Sequence, residues 1–366
     1  MSEPVEDQAS SLRRLLGGSV LHSALFIGGD PGIGQTALVA ATAAALARRG
    51  HAVLVVDGQP QLRSGAGWFG LSPRDDLAEA LCGRRRLDEV LLHAGGGITW
   101  ACAARLGPAA AVAAPAQAAR GLREADTAAR VLAELAARFD CVLIDVPADR
   151  ADRWWPAAAH AGVVLLGSTS EARSVTAAYS ALKMLALEVG QQRYLWWMGR
   201  AADPAAAEAA WDKVAQTARR FLQLRVEYAG AVPLDAAVPR AQRLRRPLAS
   251  VFPASPAAAA SALLAQQIDA PAMPVGSSAP EAAPEAAWRG LLLGDLPLEA
   301  VPAQNRGVGV GAPGRGDASS HRPGSHDPHH DSNHGSGRDS GRNLHQNPPR
   351  NPLSFSAQGR TALVSR

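Results

Sequence analysis

The sequence predicts an α/β fold, in which a mostly parallel central sheet is flanked by helices, followed by a disordered C-terminal tail. Short apolar runs rich in β-branched residues alternate with alanine-rich segments of helical length between residues 19 and about 270. Strands buried on both faces have such continuous apolar runs, and strict alternation with helices favours parallel pairing through right-handed crossovers. Residues 271–366 are instead rich in Pro, Gly, Ser, Asn and His.

The individual elements follow from this alternation. Four apolar runs bounded by turn or charge signals are predicted as buried strands: ALFIGG (24–29), AVLVVDG (52–58), CVLIDVP (141–147) and AGVVLLGS (161–168). Helices are predicted over 36–48, 74–82, 121–138 and 172–188. A second helical pair within 204–224, a strand-like VEYAGAVP at 226–233 and a closing helix around 254–268 complete the domain.

Composition divides the chain into three regions. Residues 1–18 form a short helix candidate that ends at Gly17 and Gly18, residues 19–270 form the α/β domain, and residues 271–366 form a low-complexity tail. Six of the ten histidines fall in the tail segment 321–345. The tail carries too little apolar surface to offset the entropy of ordering, so we predict that it is largely disordered.

Charge, cysteine content and hydropathy narrow the expected function and location. The net charge of +4 on 366 residues is mild, so nucleic acid is not expected as the main partner. The three cysteines, Cys82, Cys102 and Cys141, are far apart, which predicts neither a disulfide framework nor a metal site. No run reaches the ~18 apolar residues of a membrane-spanning helix, and no secretory signal opens the sequence. We therefore expect a cytoplasmic protein.

A glycine loop in FIGGDPGIGQT (26–36) is the main candidate site. In the pattern G-x-x-x-x-G-K-[ST], backbone N–H groups surround a pyrophosphate at a helix N-terminus, Lys contacts the outer phosphates and Ser or Thr contacts Mg²⁺. Gly29, Gly34 and Thr36 keep their places here, but Gln35 stands at the lysine position. A neutral amide loses most of a charge-assisted contact worth about 1.5–3 kcal/mol.

The loop and the helix behind it resemble the deviant phosphate-binding motif of the MinD/ParA class, K-G-G-x-G-K-T. In that alignment Asp30 occupies the place of the signature lysine and Pro31 that of the first glycine, while Gly32 and Gly34 are retained. Gln35 takes the place of the second lysine. The resemblance implies a MinD-like fold and Mg-ATP as the family ligand, but both lysines are absent, so we expect nucleotide binding to be weakened.

Other motifs of the class also depart from its pattern. The second strand keeps Asp57, but Gln59 stands where the family has its water-positioning aspartate. The later motif IDVPAD keeps Asp145, whereas Asp149 differs from the residue that the family has there. The asparagine that reads adenine falls at Gly199. We predict a pseudo-ATPase with no catalytic residue and no metal site, and a vestigial nucleotide site made of Gly29, Gly32, Gly34, Gln35, Thr36, Asp57 and Asp145. The alternative is that Thr36, Asp57 and Asp145 are only a helix cap and turn formers.

Three segments narrow the resemblance to the flagellar-number regulators FlhG, FleN and YlxH. They are GLSPRDDLAEALCGRRRLDEVLL (70–92), AVPLDAAVPRAQRLRRPLASVFPASPAAAA (231–260) and the N-terminal D-Q-A-x-x-L-R. The last motif consists of Asp7, Gln8, Ala9, Leu12 and Arg13. In that family this helix engages the signal-recognition-type GTPase FlhF, and its glutamine completes the GTPase site. The resemblance thus implies FlhF as partner and residues 7–13 as the binding motif.

The N-terminal helix also fits docking on physical grounds. Val5, Ala9, Leu12 and Leu16 share one face, and an isolated helix of about a dozen residues is marginal in water. Such a helix folds readily on a partner, although it could instead pack on its own domain.

We therefore predict a regulator of flagellar number, placement and biosynthesis that engages an FlhF-type GTPase as a scaffold. A flagellar transcription activator or a switch (C-ring) protein is a further candidate partner. Recruitment to the cell pole or the inner membrane face fits this function. In the tail, EAAWRGLLLGDLPL (285–298) clusters apolar residues but contains one basic residue, so partner docking or a transient helix is favoured over membrane binding.

The alternative function is an ATP-binding MinD/ParA-type switch with weak ATPase activity, in a flagellar, DNA-partitioning or cellulose-synthesis setting.

Overall fold

A single eight-stranded sheet forms the core of the described residues in the computed structural model, which describes residues 21–59, 65–106, 118–270 and 284–294. The strand order is β3-β4-β2-β5-β1-β6-β7-β8, and all neighbours are parallel except β3 and β4. The strands are β1 His22–Gly28, β2 Val53–Asp57, β3 Leu91–Gly95, β4 Ile98–Cys102, β5 Cys141–Val146, β6 Val163–Ser168, β7 Tyr194–Ala201 and β8 Val226–Pro233.

Eleven α-helices and two 3₁₀ segments lie within the described residues. The helices are α1 Gln35–Arg48, α2 Leu77–Leu81, α3 Leu87–Val90, α4 Ala118–Arg138, α5 Trp155–Ala158, α6 Ala172–Glu188, α7 Pro204–Leu222, α8 Ala237–Leu244, α9 Leu248–Val251, α10 Pro256–Asp269 and α11 Pro284–Leu293. The 3₁₀ segments are Gly65–Phe69 and Ala148–Trp154.

The central strands of the sheet are buried on both faces. Along β1, Leu25 and Ile27 belong to one apolar cluster and Ala24 and Phe26 to another, as alternate residues of a strand point to opposite faces. Strands β2, β5 and β1 lie side by side and run in the same direction, so their carboxyl ends meet at one edge. The loop after β1 and the carboxylates Asp57 and Asp145 are therefore brought together at that edge.

The predicted fold class is confirmed, and most elements match their predicted positions. The four apolar runs are β1, β2, β5 and β6, and the helix predicted over 172–188 has those bounds. The predicted helical pair within 204–224 is instead one continuous helix, α7, capped by the side chain of Asp203. The β3–β4 hairpin was not predicted; its turn uses Gly95, Gly96 and Gly97, all with positive φ.

Helix α11 lies inside the segment that the sequence assigned to the tail. The side chains of Trp288, Leu291 and Leu292 are almost fully buried in the main apolar cluster, and Trp288 packs near Phe139 at a ring-centroid distance of 6.5 Å. The packed structure therefore continues beyond residue 270. The domain itself covers this apolar face, whereas the sequence favoured partner docking or a transient helix for this segment.

Other expectations fall on residues that are not described. The N-terminal motif residues Asp7, Gln8, Ala9, Leu12 and Arg13 lie outside the described ranges, as does the tail apart from residues 284–294. Within the described ranges, no helix combines the length and the apolar character that crossing a membrane requires.

Candidate functional site

The glycine loop between β1 and α1 turns through two left-handed glycines and ends at the N-terminus of a helix. Gly32 and Gly34 have φ of 83° and 94°, a conformation that residues with a Cβ rarely adopt. Gly34 is the N-cap of α1, and its carbonyl accepts from the N–H of Leu38 at 2.9 Å. At Gly29, a Cβ would lie 2.6 Å from the carbonyl oxygen of Ser174, so helix α6 requires glycine there.

Gln35 points inward, beneath the loop. Its side chain is 8% exposed, and Nε2 lies 2.5 Å from Asp145 Oδ1, 2.8 Å from the carbonyl oxygen of Val146 and 3.2 Å from that of Phe26. An amide NH₂ has two hydrogens, so these three acceptors occupy its full donor capacity. The side chain at the lysine position therefore joins β1 and β5 and leaves no side-chain donor for a phosphate.

Asp145 is the centre of this hydrogen-bond network. The carboxylate is fully buried, and besides Gln35 it accepts from the hydroxyl of Thr36 at 2.7 Å and from Gln59 Nε2 at 3.4 Å. Burial raises the pKa of Asp145 above its ordinary value, and the hydrogen bonds from Thr36, Gln35 and Gln59 act in the opposite direction. Thr36 and Asp145 are thus joined directly by a hydrogen bond at the carboxyl edge of the sheet.

Asp57 is tied to protein donors. It is fully buried, with Oδ1 accepting from the backbone of Gln59 at 2.9 Å and Oδ2 accepting from the backbone of Gly65 at 2.8 Å and from Trp100 Nε1 at 2.9 Å. A Cβ on Gly65 would lie 2.5 Å from the Trp100 ring. This geometry fits the alternative in which Asp57 only forms the turn at the end of β2.

A pocket of about 330 Å³ lies over the loop. Its charged lining residues, among those described, are Asp30 and Asp149, and none of these lining residues is basic. Asp30 pairs loosely with Arg173, at 3.6 Å, on a guanidinium side chain that is 86% exposed. Phosphates in this pocket would meet two carboxylates at short range, and the repulsion opposes binding.

The adenine-reading position has no room for a side chain. A Cβ on Gly199 would lie 2.5 Å from the carbonyl oxygen of Ile33 and 2.7 Å from the Trp197 ring, so the glycine loop occupies the space. A neighbouring pocket of about 200 Å³ is lined mainly by apolar side chains, with Arg200 and Asp235 as its charged residues. An adenine here would therefore meet apolar side chains, but no side-chain amide at position 199.

The structure brings the predicted vestigial residues together. Gly29, Gly32, Gly34, Gln35, Thr36, Asp57 and Asp145 all lie at the carboxyl edge formed by β1, β2 and β5. Sequence reasoning missed Trp100 and Gly65 as partners of Asp57. An indole N–H on a strand carries no sequence signal for this role, because the pairing depends on β4 lying beside β2.

No family model matches the chain. Among curated proteins, the antiactivator FleN of Pseudomonas aeruginosa is 30% identical over 252 residues, which cover 68% of this chain and 88% of FleN. This identity extends over nearly all of the relative, so it reflects the whole domain and not only the glycine loop. The chain belongs to the FleN/FlhG family of MinD/ParA-class flagellar-number regulators.

Solved structures agree with the fold of this FleN-family chain. The MinC:MinD cell division protein complex of Aquifex aeolicus matches with a TM-score of 0.51 and 19% identity, covering 69% of this chain and 98% of that one. The cell division ATPase MinD of Pyrococcus furiosus matches with a TM-score of 0.50 and 20% identity, covering 68% and 99%. At these identities the likeness establishes the MinD-like fold alone.

Proposed function

We propose that this FleN-family protein regulates flagellar number and placement as a MinD-like scaffold without ATP turnover. The observation that supports this most is Gln35, whose amide donates to Asp145 and to strand carbonyls at 2.5–3.2 Å where a working site needs a cation. Loss of a residue that stabilises charge on a transferring phosphoryl group costs about 10³- to 10⁵-fold in rate. With Asp30 beside it, the site favours neither binding nor hydrolysis.

The proposed partner is an FlhF-type GTPase, engaged through the N-terminal motif. Gln8 is suited to orient an attacking water, as glutamines do in GTPases, and Arg13 to contact acidic or phosphate groups. The relative's name, antiactivator, supports a transcription activator as a second partner, and a switch protein is a third candidate. These interactions require a cytoplasmic protein, recruited to the pole or inner membrane face through its partners.

GTP hydrolysis by the FlhF-type GTPase of the same organism tests this proposal. We expect the full chain to stimulate hydrolysis, Gln8→Ala to abolish stimulation, and Ser11→Ala, at a variable position of the motif, to retain it. Stimulation that is absent, or that survives Gln8→Ala, would contradict the docking role. A parallel titration with Mg-ATP should give no binding at millimolar concentrations.

A nucleotide-dependent switch is the second candidate. The positive φ of Gly32 and Gly34 and the 2.7 Å contact between Thr36 and Asp145 favour it, because these features hold phosphate and magnesium in working sites. It predicts ATP-dependent dimerisation, measurable by light scattering with and without Mg-ATP. Dimerisation together with an unaffected GTPase would replace the scaffold proposal with this one.

A further inference from the structure

Two histidines and two aspartates converge at the edge of the sheet opposite the glycine loop. His22 begins β1, His51 precedes β2, Asp140 precedes β5 and Asp269 ends α10. Strands β2, β5 and β1 are adjacent and parallel, so their amino ends meet at this edge. Seven residues of β1 at about 3.3 Å each separate the cluster from the loop by roughly 20 Å.

Three ligand atoms face one another in this cluster. Asp269 Oδ1 lies 2.8 Å from His51 Nε2 and 3.9 Å from His22 Nε2, and one ligand atom from each residue lies within 4.8 Å of the other two. Zinc bonds of about 2.0–2.2 Å in tetrahedral geometry place ligand atoms roughly 3.3–3.5 Å apart. The observed distances bracket that spacing, so small side-chain rotations bring all three atoms onto one ion.

Neighbouring groups already orient two of the ligands. Asp140 Oδ1 lies 3.3 Å from His51 Nδ1 and also accepts from the backbone N–H of Ala52 at 3.0 Å. Arg49 donates to Asp269 Oδ2, which directs Oδ1 towards the imidazoles. A carboxylate on the outer nitrogen of a histidine is the usual arrangement around a bound metal, because it fixes the tautomer that leaves the Nε2 lone pair available.

His22 lies at the margin of the ion-pair network, at its 3.9 Å limit from Asp269 Oδ1. His51 already fills the hydrogen-bonding position at Asp269 Oδ1, yet His22 directs Nε2 towards the same oxygen and makes no closer polar contact within the described part of the chain. The two rings meet edge to face with centroids 5.0 Å apart. Convergence of two imidazoles and a carboxylate oxygen on one point is instead what a cation requires.

We propose that His22, His51 and Asp269 bind a divalent ion of the zinc class, with Asp140 orienting His51. Imidazole with carboxylate is a ligand set that suits zinc. The side chains of the three ligands are 13–20% exposed, so an ion can enter and a solvent molecule can complete the coordination. The ion binds the Nε2 lone pair of His51 and joins the end of α10 to the start of β1.

Zinc titration of the full chain tests the site, after the histidines of the tail have been replaced. The parent protein carries glutamine at the six histidines of 321–345, so that tail binding does not contribute. In competition with a chromophoric chelator, we expect one equivalent of zinc per parent chain. Asp140→Asn should weaken binding about 10- to 100-fold, as for other outer-shell partners, and His22→Gln and Asp269→Asn should weaken it more.

His93→Gln is the matched control, because His93 lies on β3 and contacts Thr99 outside the cluster; it should bind zinc like the parent. The proposal would be overturned if His22→Gln bound zinc as tightly as the parent, or if the parent did not bind one equivalent of zinc tightly. Circular dichroism of the metal-free variants checks that they are folded. Cobalt titration of the parent needs no variant: intense visible bands of four-coordinate Co²⁺ are expected, and the weak spectrum of a six-coordinate ion would overturn the site.

Discussion

Replacing Gln35 by methionine removes the hydrogen bonds of the central network while nearly conserving volume. Gln35 is almost fully buried, and its NH₂ group donates to a carboxylate and to backbone carbonyls. Methionine has similar length and flexibility but donates no hydrogen bond. The change therefore isolates the contribution of the amide from that of side-chain packing.

The magnitude follows from the bonds lost. The two hydrogens supply one bond to a charged acceptor, worth about 1.5–3 kcal/mol, and one to a neutral carbonyl, worth about 1 kcal/mol. Thr36 and Gln59 still donate to Asp145, so its carboxylate keeps partial compensation. We expect the free energy of unfolding to fall by about 2.5–4 kcal/mol.

Urea unfolding followed by tryptophan fluorescence measures this difference. Gln59→Met is the matched control, because its amide lies 3.4 Å from Asp145 and should contribute well under about 1 kcal/mol. Gln35→Lys should retain more stability than Gln35→Met, since an ammonium group can pair with the buried carboxylate. A Gln35→Met protein within about 0.5 kcal/mol of the wild type would refute the assignment of Gln35 to a structural role.

Three further predictions concern the buried carboxylate, the adenine position and the last described helix. Because burial raises the pKa of Asp145, the folded state binds a proton more readily than the unfolded state. The wild type should therefore gain stability relative to Asp145→Asn as pH falls from 7 towards the ordinary carboxyl range. Urea unfolding of both proteins at several pH values measures this difference in unfolding free energy, and a difference that does not change with pH would contradict the prediction. Gly199→Ala should destabilise the protein by about 1–3 kcal/mol through overpacking, whereas Gly67→Ala, which has open space, should be neutral in the same assay. Trp288→Ala should cost about 3–5 kcal/mol and Glu285→Ala, which is exposed, little; equal midpoints in urea for these two variants would show that α11 does not pack on the domain.

The sheet could be predicted because its central strands carry their own signal. Strands β1, β2, β5 and β6 are continuous apolar runs, as burial on both faces requires. The edge hairpin was missed, because β3 has only five residues, of which Leu91 alone is buried, and its turn consists of glycines. A transient or docking helix was expected near α11, but its packing on the domain was missed, because proline-rich flanks set the local composition whereas packing depends on distant partners such as Phe139.

The candidate site was predictable in its members but not in its contacts. The glycine spacing identified Gln35, and the resemblance to MinD/ParA motifs added Asp57 and Asp145, which lie near it because parallel strands end at one edge. That Gln35 turns inward could not be predicted, because a glutamine at this position can equally extend towards a ligand. The His22–His51–Asp269 cluster is also invisible in sequence, as its members are brought together only by the order of β2, β5 and β1 and by the end of α10.

The most direct test of the central claim is a calorimetric titration of the full chain with Mg-ATP, compared with an Asp30→Lys/Gln35→Lys double variant. Both substitutions restore positive charge at the two positions where the MinD/ParA class carries lysine. We predict no measurable binding by the wild type at millimolar ATP and measurable binding by the double variant. Micromolar ATP binding by the wild type would contradict the account, because the loop would then hold phosphate without either lysine.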